Sequence, residues 1–188
     1  MEKIIKLFVG EALRLWDMFE FIHHTPLMLF AAAGKWKLYE SAKLAIANGE
    51  VDFNDDAFEI ALFLSNSNAD TLTLATIGNL SDLTNQHASA NGYTQADGAA
   101  GGKVLAVTAT NTAGTITVDG DDPVWTASGG SIVARFAVII DGTHAQNLPI
   151  AVCLLDTAPA DVTATTGNTL TITQNVSGMF TLSGADSN

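Results

Sequence analysis

The chain has 188 residues and a formal net charge of −12, with twenty acids against eight bases. That length suits one domain, or one domain with an appendage, and is enough to bury a proper core. So acidic a body repels phosphate backbones, which argues against direct nucleic-acid binding, and a single cysteine rules out an intrachain disulfide framework.

The charge is unevenly spread. Six of the eight bases (Lys3, Lys6, Arg14, Lys35, Lys37 and Lys43) fall in the first 43 positions, and beyond them Lys103 and Arg135 stand against fifteen acids. Solubility is the plain reading of this excess; docking onto a basic protein surface or binding divalent cations is the sharper one. Residues 1–34 differ in texture from the rest. Ile4, Ile5, Phe8, Ala12, Leu15, Trp16, Phe19 and Ile22 recur near helical spacing, giving an apolar face suited to partner contact. Glu11, Arg14, Asp17 and Glu20 interrupt it too often for a bilayer span. After His23-His24-Thr25-Pro26, Leu27–Ala33 ends in Ala-Ala-Ala-Gly, which invites a signal-peptide reading, but the preceding charged region is long and mixed in sign. An amphipathic arm packing on a neighbouring subunit, or an upstream extension, fits better.

Residues 35–49 form a second helix candidate, closed by Asn48-Gly49 because glycine takes the left-handed conformation that ends helices. A polar turn at Asp52–Asp56 leads into an apolar strand at 58–64, a loop at 65–70, and an irregular or short helical connection at 75–84. From Asn91 onward the texture is β. Strands are expected at 103–108, 115–119, 124–125, 132–140, 148–155, 169–174 and 180–182, separated by Gly, Asn and Asp turn signals. Within 132–140 only Arg135 is charged, so this run reads as a central strand buried on both faces. The fold class expected is mainly β, an antiparallel β-sandwich or barrel-like domain over 35–188 preceded by N-terminal helices.

Chemistry-bearing clusters are sparse. The four histidines, His23, His24, His87 and His144, lack partners at metal-ligand spacing, and neither a nucleophile elbow nor a phosphate-cradling loop is present. Cys153 lies in an apolar run and reads as a small buried hydrophobe. Asp52, Asp55, Asp56 and Glu59 gather around one turn, and Asp119, Asp121 and Asp122 around another. Oxygen-rich turns suit Ca²⁺, yet Asp and Gly favour tight turns regardless. Paired carboxylates of a glycosidase would need a line of aromatics to hold sugar, which the sequence does not offer. No cofactor, metal or catalytic residue is assigned, and the expectation is a non-enzymatic protein.

The segment 35–64 resembles the start of a group of tailed-bacteriophage structural proteins of the form Y-x-x-A-K … N-G … D … D … K-[IV]-A-L-[FY]. It is matched at Tyr39, Ala42, Lys43, Asn48, Gly49, Asp52, Asp56, Ala61, Leu62 and Phe63, with Glu59 where the group usually has Lys. Such proteins continue with an Asn-Gly-Tyr turn, a Gly-Gly strand and a W-T-x-S-G-G-S segment. Here these are Asn91-Gly92-Tyr93, Gly101-Gly102 and the run from Val124 to Arg135. The likeness covers about 35–182 and leaves 1–34 outside. It implies a virion component, first a capsid decoration or cement protein acting in symmetric copies on the major capsid protein or other virion proteins. The alternatives are a tail or head-fibre module touching the host surface, or more remotely a cell-wall-degrading enzyme. The apolar arm residues Ile4, Ile5, Phe8, Leu15, Trp16, Phe19 and Ile22 would then be a contact element.

Overall fold

Three strands rich in β-branched and aromatic residues form the centre of the molecule. In the computed structural model, β3 (Phe58–Phe63), β9 (Phe136–Asp141) and β10 (Leu148–Leu154) lie side by side, and every residue of β3 and β9 is buried. Side chains this apolar on both faces must be covered on both, so such strands occupy the middle of a sheet. The structure describes residues 28–32, 34–73, 76–98, 101–156 and 160–183.

The short strands β2 (Lys37–Leu38) and β4 (Lys103–Leu105) complete this sheet in the order β2-β10-β9-β3-β4. Three smaller sheets surround it. One joins β1 (Met28–Ala32), β12 (Thr169–Thr173) and β7 (Val124–Thr126); another pairs β8 (Ile132–Ala134) with β11 (Val162–Ala164). The last orders β13 (Phe180–Ser183), β6 (Thr115–Gly120) and β5 (Val107–Thr112). All pairings are antiparallel except β1 along β12. One continuous apolar cluster connects the sheets, from Ile60 and Ile139 through Trp125 and Leu170 to Val118. The domain is therefore mainly β and sandwich-like, as the residue pattern leads one to expect. The expected helices of residues 1–22 lie outside the described residues. Met28–Ala32, placed by sequence with the arm, is a strand of the β12 sheet.

The helix expected over 35–49 is shorter, because α1 spans Glu40–Asn48. Lys37 and Leu38 instead pair with Val152 and Ala151 of β10, and the Tyr39 N–H donates to the Ile150 carbonyl. Trp36 and Tyr39 sit three residues apart, which mimics a helical face, yet an extended chain buries both. The Trp36 indole donates to Gln174 Oε1 at 2.9 Å and the Tyr39 hydroxyl to the Ala69 carbonyl. The helix stop is as expected. Gly49 has φ 73°, its N–H bonds to the Ile46 carbonyl, and the Glu50 N–H reaches back to Ala45.

Two expected strands are each divided in two. The run 132–140 changes sheets at Arg135: β8 pairs with β11, and β9 with β3 and β10. The Arg135 side chain leaves the apolar layer there and meets Asp161 at 2.9 Å. The run 103–108 breaks at Ala106, whose N–H donates to Asp121 Oδ1 and whose carbonyl accepts the Asp121 N–H. In β10, Pro149 carries no N–H, and the pairing with β9 shifts by one residue between Pro149 and Ala151.

Candidate functional site

Three groups of residues far apart in sequence, at Leu62, Asn91–Tyr93 and Trp125–Ser131, are brought together by the fold around Tyr93. Asn91 and Gly92 have φ of 58° and 88°, and the Tyr93 N–H bonds to the Ala90 carbonyl at 2.9 Å. Positive φ at both central residues is what an Asn-Gly two-residue turn provides. The turn points into the loop after β7. The Ser128 N–H donates to the Asn91 carbonyl at 2.9 Å, and Asn91 Nδ2 donates to the Ser131 carbonyl at 3.0 Å. Glycines make this approach possible. A Cβ on Gly92 would lie 2.1 Å from the Thr126 carbonyl oxygen, and one on Gly130 would lie 2.5 Å from Asn91 Oδ1.

Tyr93 then ties this unit to the central sheet. Its hydroxyl accepts the Leu62 N–H at 2.9 Å and the Gln86 amide at 3.1 Å. Its ring lies 6.2 Å from Trp125 and 5.1 Å from His87. Burial pushes the Tyr93 phenol up, against the lowering effect of those two hydrogen bonds. The Asn-Gly-Tyr, Trp-Thr-x-Ser-Gly-Gly-Ser and Ala-Leu-Phe segments thus form one interlocked structural unit.

The first acidic cluster is divided by the fold. Asp52 Oδ1 accepts the Asn54 N–H at 2.9 Å and Asp56 Oδ2 accepts the Asp52 N–H at 2.6 Å, both ordinary turn bonds. Glu59 is not part of that turn. It lies within β3 at 2% exposure, its Oε2 faces the Gly98 N–H at 3.4 Å, and its Oε1 is buried without a hydrogen-bond partner. Gly102 leaves room for this carboxylate, since a Cβ there would stand 2.9 Å from Glu59 Oε2. In the second cluster, Asp121 Oδ1 accepts from the Ala106 N–H and Asp122 Oδ1 from the Gln174 N–H. Among the described residues no group of three or more His, Cys, Asp or Glu is arranged to hold a metal ion.

Asp141 escapes sequence reasoning because it reads as a strand-ending turn residue beside Gly142. It is fully buried. Its Oδ1 accepts the Thr143 and His144 N–H groups at 2.9 and 3.1 Å, while its Oδ2 has no partner. Burial pushes its carboxyl up, opposed by the His144 and Thr143 N–H groups. Cys153 is buried at the centre of β10, and burial pushes its thiol up as well. His87 is buried against Tyr93, whereas His144 stands 3.6 Å from Glu50; His23 and His24 lie outside the described residues. The proposed contact residues Ile4, Ile5, Phe8, Leu15, Trp16, Phe19 and Ile22 also lie outside them. Among the described residues no helix is long and apolar enough to cross a membrane.

A surface feature the sequence reading missed is a groove of about 500 Å³ beside β2, walled by Lys35, Lys37 and Arg135 over Phe136, Val152 and Leu154. Strand register, which is invisible in the linear sequence, assembles it: Lys37 pairs with Val152 and Phe136 with Leu154, placing these side chains on one face. No protein family, curated protein or solved structure matches the chain.

Proposed function

We propose that this chain is a structural component of a tailed-bacteriophage virion, a decoration or cement protein that stabilises the head lattice on the major capsid protein. The observation that carries the reading is the convergence of the resemblance residues on Tyr93. The segments on which the resemblance to tailed-phage structural proteins rests hold one β-domain together, the Leu62 N–H and the Asn91 turn meeting at one side chain. A compact acidic domain braced in this way suits a role in which rigid copies bridge neighbours. The apolar face of Ile4, Ile5, Phe8, Leu15, Trp16, Phe19 and Ile22 supplies the contact element, lying in a groove of the neighbouring subunit.

The test is mass spectrometry and a cryo-EM reconstruction of the purified particle. Density for the β-domain at regular lattice points on the head supports decoration. Density confined to the tail or fibres replaces this reading with host recognition, and absence from the particle refutes the virion reading. Deleting residues 1–27 should leave a folded domain that no longer joins the particle; unchanged incorporation would rule out the arm as the contact.

A further inference from the structure

Residues 28–183 carry five bases against fifteen acids, and three of those five bases border a single groove. Lys35 and Lys37 are exposed, and among the described residues neither forms a salt bridge. Arg135 is taken by Asp161 at the rim, so the two lysines stand against Asp70 alone. Beside them lies an apolar floor of Phe136, Val152 and Leu154. One face of the sheet presents Lys37 and this floor together, since Lys37 pairs with Val152, Phe136 pairs with Leu154, and Val152 and Leu154 are two residues apart on β10. A surface basic at its edge and apolar at its floor is complementary to a segment whose carboxylates sit among large apolar side chains.

The arm contains such a segment. Residues 11–22 hold Glu11, Asp17 and Glu20 against Arg14, set among Leu15, Trp16, Phe19, Phe21 and Ile22. Residues 1–10 are opposite in sign, with Lys3 and Lys6 against Glu2, so charge singles out 11–22 within the arm. The turn acids Asp52, Asp56, Asp121 and Asp122, by contrast, accept backbone N–H groups within the domain. Chain length favours the groove of another copy. Ile22 is joined to Met28 by six residue steps, about 20 Å at full stretch. From Met28, β1 carries the chain about 13 Å to Ala32 and on towards Gly34, which lines the groove. To reach its own groove the segment would have to return along β1 on a link with little slack, whereas a neighbour's groove imposes no such limit.

We infer that the groove of Lys35, Lys37 and Arg135 receives segment 11–22 from the arm of a second copy of this chain. Asp17 and Glu20 meet the lysines, and Trp16 and Phe19 cover the floor. This rests on the reading of residues 1–27 as a contact arm, and gives that arm its surface; it does not depend on where the protein works.

The experiment is sedimentation velocity on the full chain. The wild type should self-associate reversibly, with a Kd that rises with salt as screening requires. Lys35→Glu with Lys37→Glu should weaken association at least about tenfold, and so should Asp17→Lys with Glu20→Lys. Mixing the two charge-reversed proteins should restore it, because each contact between them pairs opposite signs while each parent repels itself. An arm folded onto its own groove gains nothing from mixing. Asp17→Asn with Glu20→Gln removes only the charge and should also weaken association, which keeps the test decisive if a reversed arm precipitates. A wild type that stays monomeric at every concentration overturns the inference, and so does a failure of mixing to restore association. Association lost on reversing the arm but indifferent to the lysines overturns it too, while leaving the arm as a contact element on some other surface. Absence of the protein from the particle would refute the virion reading and leave this contact standing.

Discussion

Replacing Tyr93 by Phe removes one oxygen from the residue on which three sequence segments converge. That oxygen accepts the Leu62 N–H at 2.9 Å and the Gln86 amide at 3.1 Å. Gln86 is partly exposed and can turn to water, so its loss is small. Leu62 is fully buried in β3, and its N–H would be left without an acceptor. An orphaned buried donor costs about 1–3 kcal/mol. For a chain of this size that corresponds to about 2–4 °C in Tm for each kcal/mol. The pH dependence adds a second signature. Burial raises the folded-state pKa of Tyr93 above its ordinary value of 10.0, so the stability linked to its neutral form is complete below pH 10 and is lost as pH rises through the folded value. The phenylalanine variant has no such group, and its deficit relative to wild type should shrink above pH 10. Urea denaturation of both proteins at pH 7 and in the alkaline range measures this. A deficit below about 0.5 kcal/mol at pH 7, the low end for a typical hydrogen bond, would refute the view that Tyr93 braces the domain.

Gly92→Ala should cost more than about 3 kcal/mol, since it combines a φ of 88° with a Cβ 2.1 Å from the Thr126 oxygen. Gly129→Ala, at φ 76° in open space, should cost only about 1 kcal/mol in the same denaturation assay. Asp141→Asn should stabilise the protein at pH 7 by about 1 kcal/mol, because a raised carboxyl pKa means the folded state resists ionisation and Oδ2 is buried without a partner. That advantage should fade as pH falls through the ordinary aspartate range, and a Tm difference independent of pH would contradict it. Cys153 should react with a thiol reagent only as fast as the domain opens, given its burial and raised pKa. Rapid stoichiometric labelling of the folded protein would show that β10 is accessible.

Much of the β-texture is legible in the sequence because burial and turn chemistry are local signals. β3, β6 and β12 fall close to their expected bounds, since each is a short run of strand formers between Gly, Asn or Asp turns. What escapes is what depends on pairing. β2 has two residues and no periodicity of its own, and only the edge of β10 makes it a strand. β11 is three residues that pair with β8, and the break at Arg135 that separates β8 from β9 is set by which sheet each half joins. Glu59 looked like a turn acid next to Asp55 and Asp56, whereas the strand carries it inward to Gly98 and Gly102. The basic groove belongs to the same class, because Lys35 and Arg135 are a hundred positions apart and meet only through the β2-β10-β9 order.

The charge pattern carries a distinction that composition alone conceals. Eight aspartates in the described residues each accept a backbone N–H in or beside a turn or loop: Asp52, Asp56, Asp82, Asp97, Asp119, Asp121, Asp122 and Asp141. A domain of many short strands needs many turns, and aspartate is a good turn acceptor, so much of the acidity follows from the architecture. The excess of negative charge therefore says little about a ligand. Cations have no comparable job in these turns, and among the described lysines and arginines Arg135 alone is spent on an ion pair with a carboxylate. Where a fold spends acids on its own loops and sets three of the five bases of residues 28–183 along one groove, the placement of the bases is the more informative signal. It directs the search for a partner to the face of β2 and β10.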